Sequence, residues 1–135
     1  MKNVTIGTYE NYNEEEILAL YNAVGWKAYT SDPASLAAGY AHSLLTLEAR
    51  DGEKLAGVIR TVGDGATIVY IQDIIVHPEY QRRGVGAALI RAVMERFSAV
   101  RQIVLLTDDT EKTVAFYKKQ GFTPAAKYGC CAFMK

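Results

Sequence analysis

Ile74-Ile75-Val76-His77-Pro78-Glu79-Tyr80-Gln81-Arg82-Arg83-Gly84-Val85-Gly86-Ala87-Ala88-Leu89 reads as the end of an apolar strand, a basic turn and the opening of a helix. The first N–H groups of a helix have no internal partner and lie at the positive end of its dipole. A turn that aims them outward therefore makes an anion site. Gly84 and Gly86 carry no Cβ and leave the main chain open to a diphosphate, while Arg82 and Arg83 set full positive charges beside it. Spacing argues against two nucleotide motifs. A dinucleotide fingerprint needs a third Gly or Ala where Leu89 stands, and a P-loop needs Lys then Ser or Thr where Ala87 and Ala88 stand. A glycine-softened turn before an ordinary helix would account for the glycines alone; the arginines and the apolar strand favour the anion site.

Working outward, the stretch from Thr67 to Val76 is apolar on both parities except at Gln72-Asp73, as in a central strand, and those two polar residues need a reason. Upstream, Leu45 to Arg50 and Lys54 to Val62 form a hairpin about Asp51-Gly52, and Gly63 and Gly65 return the chain into a strand from Ala66 to Val76. Val4 to Tyr9 is a first strand. Asn13 caps a helix opened by Glu14, Glu15 and Glu16 and ended by Gly25, with Ile17, Leu20, Tyr21 and Val24 on one face. Asp32 caps another with Pro33 at its first position and Leu36, Tyr40 and Leu44 inward; Trp26 and Tyr29 fall in the loop between. Downstream, Val85, Ala88, Leu89, Ala92, Val93 and Phe97 repeat at helical spacing. Gln102 to Thr107 is a buried strand, Thr110 to Gln120 a helix closed by Gly121, and the remainder fits two short strands. The class is α+β.

At 135 residues the chain is expected to form a single domain, 1–135. Fifteen basic and fifteen acidic side chains cancel, so no global field holds nucleic acid or an anionic membrane, and any basic site is local. No apolar stretch approaches the ~20 residues that span a bilayer and no signal core is apparent, so a cytoplasmic protein is expected. Cys130 and Cys131 are neighbours that match no metal spacing and make poor disulfide partners; they read as reduced packing residues. His42 and His77 read as structural, and no metal constellation is present.

Gln81, Arg83, Gly84 and Gly86 form a Gln-x-x-Gly-x-Gly pattern that resembles the acyl-CoA pyrophosphate loop of the GNAT superfamily of N-acetyltransferases. Phe116-Tyr117 with Gly121-Phe122 resembles its second hallmark, a helix end beside the pantetheine arm. The resemblance runs from about Leu45 to Phe133. It implies a mixed, mostly antiparallel central sheet of six to seven strands flanked by about four helices, with acetyl-CoA as the acyl donor. Backbone groups of Ile74, Ile75 and Val76, the loop Gln81, Arg82, Arg83, Gly84, Val85, Gly86 and Ala87, and Phe116 and Tyr117 would hold that donor. Family members often pair through terminal strands, which implies a homodimer. One departure is Asp108-Asp109-Thr110, where many members carry an Asn. Val24-Gly25-Trp26 bears a weaker resemblance to the serotonin-type aralkylamine branch; Trp26 and Tyr29, two aromatics in one loop, would face a flat amine or else anchor helix packing, and Tyr70 is a further acceptor-binding candidate.

Acyl transfer to an amine needs a neutral amine, a stabilised oxyanion and a proton for the departing thiolate. Asp73, among Ile71, Ile74 and Ile75, is the candidate base because desolvation would raise its pKa; the alternative is a structural hydrogen bond at a strand irregularity. Tyr70 and Asp108 stand in reserve. Main-chain N–H groups from Ile74 to Val76 would serve the oxyanion if the strand bulges. Tyr117 is the candidate acid, or else a wall residue of an amphipathic helix. The expected activity is acetyl transfer to a primary amine of a small molecule or peptide, by direct attack. A non-catalytic acyl-CoA sensor is the alternative.

Overall fold

Strand pairing in this computed structural model, which describes residues 3–135, starts from the hairpin at Asp51-Gly52. Strands β2 (Leu45–Asp51) and β3 (Lys54–Gly63) meet there, β1 (Val4–Thr8) lies outside β2, and β4 (Val69–Val76) lies on the far side of β3, all antiparallel. A short β5 (Ile103–Leu105) completes the order β1-β2-β3-β4-β5. The five described helices are α1 (Glu14–Ala23), α2 (Lys27–Thr30), α3 (Pro33–Ala41), α4 (Val85–Arg96) and α5 (Glu111–Lys119). The chain divides into two compact units, one up to Val104 and one from Leu105. Among the described residues no helix is long and apolar enough to cross a membrane.

Both faces of the sheet in the first unit are covered. Val58 and Ile75 lie opposite one another and pack with Ile17, Leu20 and Tyr21 of α1 and Leu36 of α3. Gly57, one position away, points to the other face, where a Cβ would sit 3.5 Å from Leu89 of α4. The same Cβ would lie 2.6 Å from the Ile75 carbonyl oxygen, so glycine here lets β3, β4 and α4 approach. Val85, Leu89, Ile90 and Val93 bury the inner side of α4.

Several expectations hold in detail. Asn13 accepts from the Glu16 N–H and Asp32 from the Ser35 N–H, and each begins its helix as read. Others are corrected. The sheet is mixed, as expected, but among the described residues it has five strands instead of six to seven, and five helices stand where about four were expected. Strand β4 starts at Val69, not Ala66, because Asp64 accepts from the N–H groups of Ala66, Thr67 and Ile68 and folds them into a turn. The Trp26–Tyr29 loop contains helix α2, closed by the bond from the Ser31 N–H to the Lys27 carbonyl. Leu44 is exposed. In the second unit Ala125–Tyr128 is a 3-10 turn, with no strand after Gly121: Pro124 has no N–H for a ladder and Gly129 is left-handed. Cys130 and Cys131 are free and exposed, not packed.

Candidate active site

The anion loop grows out of β4. Pro78–Tyr80 forms a 3-10 turn, buried Tyr80 donates its hydroxyl to Asp51, and the Gln81 side-chain Nε2 donates back to the Val76 carbonyl at 2.9 Å. Arg82 then takes φ 63°, the one non-glycine residue with positive φ among those described, and Gly84 takes φ 80°. A left-handed Arg costs about 1 kcal/mol or more and persists only where its surroundings hold it. No side chain caps α4 at Gly84. Its first ladder bond runs from the Ala88 N–H to the Gly84 carbonyl, which leaves the N–H groups of Val85, Gly86 and Ala87 outside the ladder. Arg82 and Arg83 are exposed beside them.

The end of β4 offers further donors. The His77 N–H bonds the Ala56 carbonyl at 2.8 Å, so by antiparallel alternation Ile75 and Asp73 turn their backbone groups toward β3. Ile74 and Val76 turn theirs to the opposite edge, where Gln81 reaches the Val76 oxygen. Two of the three expected backbone donors thus turn away from β3, to the side of β4 that β5 joins, and that of Ile75 is engaged with β3.

A bulge decides where Asp73 points. Arg60 lies opposite Asp73 and Thr61 opposite Ile71, so Gln72 has no partner and the strand changes face. Asp73 therefore joins Arg60 on the α1 side. Its carboxylate is not alone among isoleucines. It is 2% exposed and accepts from Tyr29 Oη at 2.7 Å, Tyr21 Oη at 2.9 Å and Arg60 Nε at 2.8 Å. The expected strand irregularity and the structural hydrogen bonds are both present. Burial raises the pKa of Tyr21 and Tyr40, whose hydroxyls are 2.9 Å apart, and that of Tyr29. Desolvation opposes the charge on Arg60, but the charge and hydrogen bond of Asp73, together with Tyr21 and Tyr29, lift the pKa on balance.

Tyr29 links this buried group to the surface, since its hydroxyl also accepts from exposed Gln72 at 3.0 Å. Trp26 stacks on the Tyr29 ring at 6.1 Å between centroids, and 38% of it is exposed. Tyr70 is half-buried on β4. Arg60, Tyr21 and Tyr40 were not singled out as site residues from sequence. The available signal was Arg60 itself, a cation within the apolar run from Leu55 to Val62, which needs a buried anion such as Asp73.

In the second unit Thr110 caps α5 by accepting from the Thr113 N–H. Phe116 and Tyr117 are half-buried, with rings edge-to-face at 5.1 Å, and Tyr117 meets Phe122 at 6.0 Å. Burial raises the Tyr117 pKa, Thr107 works against it and Asp108 adds to it. Asp108 and Asp109 are exposed.

Residues 41–124, which include the loop, the bulge and α5, match the family model described as Acetyltransferase (GNAT) domain. The chain is a GNAT acetyltransferase. A solved GNAT-family acetyltransferase of Streptococcus pneumoniae is 38% identical, with a TM-score of 0.89 over 98% of this chain and 97% of that one. A probable acetyltransferase of Staphylococcus aureus, 24% identical over 98% of this chain and 99% of its own, shares the fold with a TM-score of 0.79. An uncharacterized N-acetyltransferase of Pyropia yezoensis is 25% identical over 90% of this chain and 71% of its own length. As in the other GNAT chains, acyl transfer is the chemistry for which the site has to account.

Proposed function

We propose that this GNAT enzyme transfers the acetyl group of acetyl-CoA to a primary amine, borne by a small molecule or a peptide, by direct attack of the amine. The observation that supports the reading is the open start of α4, where no side chain competes for three free N–H groups and two arginines stand beside them. That donor set fits a diphosphate. Acetyl-CoA, when bound, supplies the acetyl thioester.

Gln81, Arg82, Arg83, Gly84, Val85, Gly86 and Ala87 would hold the diphosphate, and Phe116 and Tyr117 the pantetheine arm. The N–H groups of Ile74 and Val76, which turn away from β3, would bind the arm and the oxygen that gains charge as the amine attacks. Tyr117 is assigned the proton donated to the departing sulfur; its raised pKa keeps the hydroxyl protonated through neutral pH. Asp73 is assigned the amine proton, taken through Tyr29, since the carboxylate is sealed from solvent and the Tyr29 hydroxyl already donates to it. Trp26, Tyr29 and Tyr70 are assigned to the acceptor.

Calorimetry with acetyl-CoA, paired with a CoA-release assay over an amine panel, tests the reading. Saturable heat is expected, weakened at least tenfold by replacing Arg82 and Arg83 together with Ala, and CoA release with at least one amine. Absence of heat at millimolar acetyl-CoA overturns the assignment. Heat without release from any amine turns it into an acyl-CoA sensor. Size in solution tests the homodimer.

A further inference from the structure

We infer that the acceptor amine carries a carboxylate and that Arg60 receives it in a small cavity between α2, α3 and β3. This rests on the acetyl-transfer reading and narrows its substrate. The cavity is about 120 Å³ and is lined by Tyr29, Asp32, Ser35, Gly39 and Arg60, among others. Arg60 is 5% exposed, so nearly all of its guanidinium is removed from bulk water. Its Nε donates to Asp73 at 2.8 Å and its Nη1 to Ser43 Oγ at 3.2 Å. Among the described residues Nη2 meets no acceptor. The group is clamped flat: the Tyr40 ring lies 5.3 Å away, and a Cβ at Gly39 would stand 3.1 Å from Nη1. Nη2 is not shut away from solvent, since Tyr12 Oη alone is a buried unpartnered side-chain polar atom among the described residues, so a charged fork otherwise held on its inner side keeps one edge reachable, and a planar carboxylate suits that edge.

The cavity's own acid does not serve. Asp32 spends its oxygens on the Ser35 N–H at 3.3 Å and the Ser35 hydroxyl at 2.7 Å, where it caps α3. Asp73 already balances the charge of Arg60, so the incoming group is drawn by hydrogen bonding more than by net charge, and a moderate effect is expected. Tyr29 lines this cavity and donates to Asp73 at 2.7 Å. A carboxylate held by Arg60 thus lies one side chain from the proposed proton acceptor, a span that suits a compact amino acid.

The test uses the wild-type enzyme with acetyl-CoA. Glycine, β-alanine and 4-aminobutyrate are each compared with their methyl ester and with the alkylamine lacking the carboxyl group, at equal concentrations of unprotonated amine; 1,3-diaminopropane is a further arm. At least one acid is expected to exceed its ester and alkylamine tenfold in kcat/KM. Arg60→Lys, which keeps the charge and loses the fork, and Gly39→Ala, which displaces it, are each expected to cut that preference to threefold or less. Equal or faster turnover of the esters, the alkylamines or the diamine overturns the inference and leaves acetyl transfer standing. If no amine turns over, amide spectra of the CoA-bound protein decide: saturable shifts at Ser35 and Gly39 with one of the acids support the site, and their absence overturns it.

Discussion

Asp73 shows how far a single residue can be read. A carboxylate in an apolar strand demands partners, and Gln72-Asp73 stood out for that reason. Which partners it has depends on side chains brought from distant positions: Tyr21, Tyr29 and Arg60. Removing the carboxylate leaves the guanidinium buried and partly unpaired, so Asp73→Ala is expected to cost about 3–5 kcal/mol in urea unfolding. Tyr29→Phe keeps the ring stack and removes only the hydroxyl; kcat/KM is expected to fall about 10²-fold, measured by CoA release. Tyr117→Phe should lower kcat by a similar ~10²-fold and leave acetyl-CoA affinity within twofold by calorimetry. Unchanged turnover from neutral pH to pH 9 in that variant would remove Tyr117 from the proposed mechanism.

At the scale of elements, the start of α4 and the crossing of α4 over β3 position the site, and each depends on a glycine. Gly84→Ala puts a Cβ at φ 80° and is expected to cost about 1–2 kcal/mol, and to weaken acetyl-CoA binding because the free N–H groups move. An added Cβ there meets no other protein atom within 4 Å, so the penalty is conformational. Gly57→Ala is the opposite case. Its Cβ would strike the Ile75 carbonyl, separating β3 from β4, and a loss of about 1–3 kcal/mol is expected in thermal melts. Helix starts were legible because a cap is local: Asn13 and Asp32 each bond an N–H three residues on. Helix α2 and the terminal 3-10 turn were not. Each is a single short turn without an apolar period, and the strand pattern after Gly121 cannot by itself supply a neighbour to pair with.

For the molecule as a whole, buried tyrosines set an alkaline limit. Tyr9, Tyr21 and Tyr40 have folded-state pKa values raised above 10, with burial the largest cause. Their contribution is fully present below the unfolded pKa. Above it the unfolded chain releases protons that the folded chain retains, so stability falls as pH rises past about 10. Melting temperature is expected to drop there, and Tyr21→Phe to flatten the slope relative to its own value at pH 8. A melting temperature flat to pH 11 would refute this.

The sequence alone determined the α+β class, the cap positions, the strand-turn-helix of the anion loop and the family, because each is written in neighbouring residues: a period, a cap or a fixed glycine spacing. The tertiary structure alone decided that Gln72 bulges, that Asp73 thereby turns to the α1 side, and that Arg60, Tyr21 and Tyr29 enclose it. Strand register and the neutralisation of a buried charge depend on which distant chain segments meet, and no local pattern encodes that pairing.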